Sequence, residues 1–114
     1  MTAALAYKVL TADQKDELES GEFSGAPIDK ADGYIHLSTA EQLTETVDKH
    51  FAGESTLHIA AVDLEALGDA VKWEPSRGGA LFPHIYAVLP LSAVVACSPL
   101  QRDAAGKVML PVAG

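Results

Sequence analysis

The sequence predicts an α+β domain with a mainly antiparallel sheet system, and three observations lead there. Two capped helical stretches fall in the first half of the chain. Short runs with strand-like alternation dominate the second half. Turn residues such as Gly, Pro and Asp separate those runs. At 114 residues the chain fits one domain, residues 1–114, with no internal repeat or linker.

Residues 4–10 read as a first strand. Thr11 then fits an N-cap, with Gln14 completing a capping box, and a helix runs to about Ser20 before Gly21. Its acidic residues, Asp13, Asp16, Glu17 and Glu19, form a solvated face. Residues 22–33, holding Gly25, Pro27, Asp29, Asp32 and Gly33, read as a loop. A second strand covers 34–38. Ser38 with Glu41 reads as a second capping box, opening a helix to about Phe51 with the inward stripe Ala40, Leu43, Val47 and Phe51. Strand three spans 56–62, with Leu57, Ile59 and Ala61 on one face and His58 in a structural place on the other. A helical turn at 64–67 precedes a strand at 71–74. The segment Pro75-Ser76-Arg77-Gly78-Gly79 reads as a flexible connection. Strands at 81–88, 95–100 and 108–112 complete the chain.

Hydrophobic residues make up 48% and charged residues 21%, ordinary for a globular protein. No apolar run approaches the roughly 20 residues of a membrane span, and no basic-then-apolar leader opens the sequence. The expectation is a cytoplasmic protein without a membrane partner. Net charge is −8 and the eight Lys and Arg are scattered, so nucleic acid is not an expected partner, whereas a small anionic molecule is. Oligomeric state is not legible. The single cysteine, Cys97, excludes an internal disulfide and a multi-cysteine metal site, and reads as a buried small hydrophobe.

Two strands carry unusual chemistry. Residues two apart on a strand share a face, so Tyr34, His36 and Ser38 point one way, and Phe82, His84 and Tyr86 share another. Imidazoles, hydroxyls and aromatic rings on one side suit a pocket wall better than a packed interior. His36 has the further advantage of preceding a helix N-terminus, where free N–H groups suit a phosphate. Ser38 is also explained by capping. Pro83 before His84 suggests an edge or bulge. Trp73 suits either core packing or stacking on a base, and Glu74 is a candidate acid or electrostatic partner. Arg77 suits an anion or a gate, and equally a plain surface loop. Lys8 lies between apolar residues as a snorkelling edge lysine would. No His-x3-His spacing indicates a helical metal site, and no Gly-x-Ser-x-Gly elbow is present.

Three strings, Asp32-Gly33-Tyr34-Ile35-His36-Leu37-Ser38-Thr39-Ala40-Glu41-Gln42, Lys72-Trp73-Glu74-Pro75-Ser76-Arg77-Gly78-Gly79 and Leu81-Phe82-Pro83-His84-Ile85-Tyr86, resemble a small bacterial family, domain of unknown function nine hundred and fifty-two. The likeness spans roughly residues 5–100. More distantly, Ile35-His36-Leu37-Ser38 before a helix, then Ile59-Ala60-Ala61-Val62-Asp63, resembles the catalytic half of the RNA 2′-phosphotransferases, of the ADP-ribosyltransferase-like superfamily. That resemblance implies a split β-sandwich holding NAD or ADP-ribose in a cleft, and transfer or hydrolysis at the ribose anomeric carbon. It departs from the pattern at Tyr7-Lys8-Val9, where a His or Arg is usual, and in lacking an identifiable late Glu.

The expected roles follow from it. His36, Glu74 and His84 form the catalytic set, with His36 on a ribose hydroxyl or phosphate and Glu74 steadying an oxocarbenium-like centre. Ser38 and Thr39, with the helix N–H groups behind them, take phosphate. Lys8 and Arg77 supply charge, His84 and Tyr86 shape the opposite wall, and Tyr34 and Trp73 belong with the ligand-binding residues. Two other readings stay open. One is a non-catalytic module for a small anion or a partner's tail. The other is a metal-dependent hydrolase using His36, His84 and Glu74.

Overall fold

The computed structural model describes residues 5–54, 56–75 and 79–111. Three small antiparallel sheets account for its strands. Strand β1 (Leu5–Thr11) lies beside β4 (Leu57–Asp63), which pairs on its other edge with β8 (Val94–Pro99). Strand β6 (Leu81–Ile85) is the centre of the second sheet, flanked by β3 (Ile35–His36) and β5 (Val71–Pro75). The ribbon β2 (Glu22–Phe23) with β7 (Leu89–Pro90) completes the set. A backbone bridge between Tyr7 and Ser38, with reciprocal N–H to C=O bonds of 2.8 and 2.9 Å, ties the first sheet to the second. The α+β, antiparallel expectation is met at this level.

Alternation in the central strand explains why one sheet sustains two interiors. Leu57, Ile59 and Ala61 pack with Tyr7, Val9, Leu43, Val47 and Val108. Ala60 and Val62, on the opposite face, pack with Ala6, Leu10, Leu18, Phe23, Ile35, Leu37 and Ile85. Residues one apart on a strand thus serve different cores, so β4 has almost no exposed position.

Helix α1 (Ala12–Glu19) begins where the sequence predicts, with the Thr11 side chain accepting from Gln14 N and the Gln14 side chain accepting from Thr11 N. Helix α3 (Ala40–His50) buries Leu43 and Val47, and Ala40 and Phe51 pack beside them, which is the expected stripe. Its cap is one residue later than expected. Thr39 and Gln42 close the capping box, because Ser38 is held by its bridge to Tyr7 and its Oγ lies 2.9 Å from Thr46 Oγ1.

The largest departure is the stretch expected as a loop at 22–33. It contains β2 and helix α2 (Pro27–Asp32), with Pro27 at the first turn and Gly33 closing the end at φ 90°. Proline's fixed φ starts such a turn, and glycine ends it without steric cost. Helix α4 (Leu64–Leu67) matches the expected turn. The strand expected to run to 88 ends at Ile85, and among the described residues beyond 107 there is a bridge, Arg102 with Val108, and no strand. Cys97 is exposed, since it lies on the outer edge strand β8 and not in a core. No helix among the described residues is long and apolar enough to cross a membrane.

Candidate functional site

The two histidine strands are neighbours. In the antiparallel register of β3 and β6, His36 stands opposite His84 and Ile35 opposite Ile85. Alternation then sends both isoleucines into the core and both imidazoles to the other face. The rings meet edge to face, with centroids 5.3 Å apart. Tyr34 completes the group, stacked on His84 at 4.2 Å and tilted against His36 at 4.8 Å.

Each imidazole is backed by a carboxylate. His36 Nδ1 lies 2.5 Å from Asp29 Oδ1, and its Nε2 lies 2.9 Å from Asp32 Oδ2. Both nitrogens of this ring are thereby engaged by carboxylates. His84 Nδ1 lies 2.7 Å from Glu74 Oε1, and the Tyr86 hydroxyl donates to both Glu74 oxygens at 2.8 and 3.0 Å. These bonds hold Glu74 below the ordinary carboxylate range, with His84 the larger cause, and they push Tyr86 up to about 12.

Asp29 is the hub beneath the site. It is 1% exposed and accepts four hydrogen bonds or ion-pair contacts. Its Oδ2 takes Ala26 N and Lys8 Nζ, each at 2.8 Å, and its Oδ1 takes His36 N at 3.1 Å and the His36 ring. Burial alone would raise its pKa, but the contacts from His36 and Lys8 outweigh it, and the carboxyl falls to about 2. Lys8 is 6% exposed, and its Nζ also donates to the His36 carbonyl at 3.0 Å. Burial pulls the Lys8 ammonium below its usual range while Asp29 pushes back. Lys8 lies on the edge strand β1 but does not snorkel to solvent; it is a buried ion-pair partner.

A cavity of about 620 Å³ opens over the pair. Its polar lining includes Asp32, His36, Ser38 and His84, and its apolar walls come from residues such as Val9, Ile28, Phe51 and Phe82. No lysine or arginine lines it among the described residues. Tyr34 and Tyr86 instead border a neighbouring recess of about 360 Å³.

The expected residues are thus distributed unevenly. His36, His84 and Ser38 line the larger cavity, and Glu74 stands behind His84. Thr39 is engaged in capping α3. Trp73 is neither core nor wall, being 46% exposed on the edge strand β5. Arg77 lies outside the described residues. Among the described residues, no group of three or more His, Cys, Asp and Glu side chains is placed to hold a metal ion. Sequence reading missed Asp29 and Asp32 by treating α2 as loop. The Pro27 and Gly33 punctuation around a six-residue segment was the available signal.

Comparison with known proteins finds a family and a shared fold. A family model described as a protein of unknown function (DUF952) matches residues 9–97. The crystal structure of protein CC0527 from Caulobacter crescentus is 45% identical, covers 93% of this chain and 94% of that one, and superposes with a TM-score of 0.84. The solution NMR structure of CC0527 is 47% identical, with coverage of 91% and 90% and a TM-score of 0.77. No curated protein matches.

Proposed function

Starting from a chain that belongs to the DUF952 family, whose description names no reaction, we propose that it binds NAD, ADP-ribose or a related phosphorylated nucleotide, on an ADP-ribosyltransferase-like fold. The observation that carries this reading is the carboxylate-backed pair His36–His84 at the head of a 620 Å³ cavity. That size accommodates a nucleoside and leaves room for part of its phosphate chain. Apolar walls suit a base or nicotinamide, and the His84 imidazole, held through Nδ1 alone among the described residues, suits a ribose hydroxyl. His36 is fixed between Asp29 and Asp32 in a lining that holds no lysine or arginine among the described residues. Lys8 supports the site from beneath by fixing Asp29 and the His36 carbonyl. A cytoplasmic setting suits such a ligand.

Thermal unfolding against titrated NAD and ADP-ribose tests the reading. Ligand at about 100 times its dissociation constant should add roughly 2.7 kcal/mol of stability. Absence of a shift with both nucleotides at millimolar concentration would refute it.

A further inference from the structure

Trp73 is the single tryptophan of the chain, and neither the two cores nor the cavity uses it. It stands at the middle of β5, an outer strand of its sheet, with Lys72 and Pro75 exposed beside it. In the antiparallel pairing of β5 with β6, Ala70 C=O accepts from Tyr86 N–H at 2.8 Å. Alternation then turns the backbone groups of Lys72 and Glu74 toward β6, and those of Val71, Trp73 and Pro75 outward. Val71 N–H already donates to Gly68 C=O, and proline has no N–H. Along this outer edge Trp73 therefore offers both a donor and an acceptor, and among the described residues no strand pairs there.

An open edge of this kind is a template for a further strand. The residues beside Trp73 indicate which strand it takes. Lys72 and Glu74 flank it and share the opposite face of β5. A two-fold axis through Trp73 sets residue 72 of one copy against residue 74 of the other, so each Lys72 meets the partner's Glu74. An axis through residue 72 would oppose two lysines, and one through residue 74 two glutamates. Like charges directly opposite destabilise a sheet, whereas opposite charges stabilise it. The charge pattern of β5 is thus complementary to itself in one antiparallel register. The other outer strand, β8, carries no charge from Val94 to Pro99, so nothing there selects a register.

We propose that β5 is an interface between two copies of this chain, joining their β3–β6–β5 sheets into one antiparallel sheet across a two-fold axis. Trp73 N–H donates to the partner's Trp73 C=O and accepts the reverse bond, with the two indoles neighbours on the face away from the charges. The Lys72–Glu74 pairs fix the register. This inference does not depend on the nucleotide reading. It reaches the histidine site all the same, because Glu74 also holds His84 Nδ1 and would gain the partner's Lys72 as a second cation. Each copy carries a net charge of −8, so long-range repulsion opposes the contact and salt that screens it helps the two copies meet.

Sedimentation equilibrium of the full chain, from about 10 μM to about 1 mM in about 0.15 M salt, tests the interface. The expected result is a monomer–dimer equilibrium, with Trp73 emission moving to shorter wavelength as the concentration rises. Lys72→Glu should weaken the dimer by about tenfold or more, and so should Glu74→Lys, since each replaces two opposite-charge pairs by two like-charge pairs. Mixing the two variants should recover the dimer, because every charge again meets its opposite; a loss caused by misfolding would not recover. Trp73→Ala should stay monomeric over the same range. A wild-type chain that is monomeric at the highest concentration overturns the proposal. So does a dimer that Lys72→Glu leaves intact, a mixture that fails to recover, or a dimer that Val95→Lys on β8 abolishes instead.

Discussion

His36 and His84 face each other across paired antiparallel strands, ring centroids 5.3 Å apart, and each leans on a carboxylate from a third element. Asp29 comes from α2 and Glu74 from β5, so three separate segments must be in place before either imidazole is oriented. The consequences for stability and titration can be measured.

The Lys8–Asp29 pair is buried at both ends, 7% and 1% exposed. Asp29→Asn leaves the Lys8 ammonium without its counter-ion in a site closed to water. The expected loss is about 3–5 kcal/mol in urea unfolding, as for other broken buried pairs. Lys15→Ala, which breaks an exposed pair with Glu19, should cost under about 1 kcal/mol. Equal small costs for the two variants would show that the buried pair contributes nothing special.

Acid sensitivity follows from the same residue. Asp29 falls from 3.8 to about 2 on folding, so the folded state favours the ionised form. Its contribution is fully present above about pH 4 and is lost as pH falls through 2. The size is ~2 kcal/mol, at 1.36 kcal/mol per unit. Wild type should therefore lose about that much more stability than Asp29→Asn between pH 5 and pH 2. Parallel losses would contradict the assignment.

Tyr86 offers an optical check on the second carboxylate. Its hydroxyl titrates at about 12 because both Glu74 oxygens accept from it. In Glu74→Gln that titration should move back toward 10, read by phenolate absorbance with Tyr86→Phe as the blank. A titration unmoved by the substitution would mean that Glu74 is not the cause.

Gly33 ends α2 at φ 90°, and a Cβ placed there meets no atom within 4 Å. Gly33→Ala should thus cost only the left-handed backbone strain, about 1–2 kcal/mol. Because this turn precedes Tyr34, the Tyr34 and His36 ring resonances should shift in NMR spectra. A variant as stable as wild type would show that α2 can end another way.

Much of the local structure was legible in advance. The Thr11–Gln14 box, the stripe Leu43 and Val47, and the alternation of Leu57, Ile59 and Ala61 depend on neighbours within one or two turns. The shared faces of Tyr34 with His36 and of Phe82 with His84 came from the same counting. Ser38 misled because its sequence context satisfies a capping box, yet its backbone was already bridged to Tyr7. Lys8 misled because an isolated lysine among apolar residues looks like one that reaches out to solvent. Nothing within several residues of it hints at Asp29, which is 21 positions away and only 2.8 Å from its Nζ.

What the sequence determined by itself was the class of fold, most element starts, and the presence of two strands bearing imidazoles on one face. These rest on periodicity, caps and turn chemistry, which act locally along the chain. Only the tertiary structure decided that the two strands pair in the register that sets His36 opposite His84, and that α2 carries Asp29 and Asp32 to one of those rings while β5 carries Glu74 to the other. Register and burial are set by which apolar faces close together, with Ile35 and Ile85 meeting in the core. The polar residues opposite them are brought together by that packing, so their partnerships cannot be read from spacing along the chain.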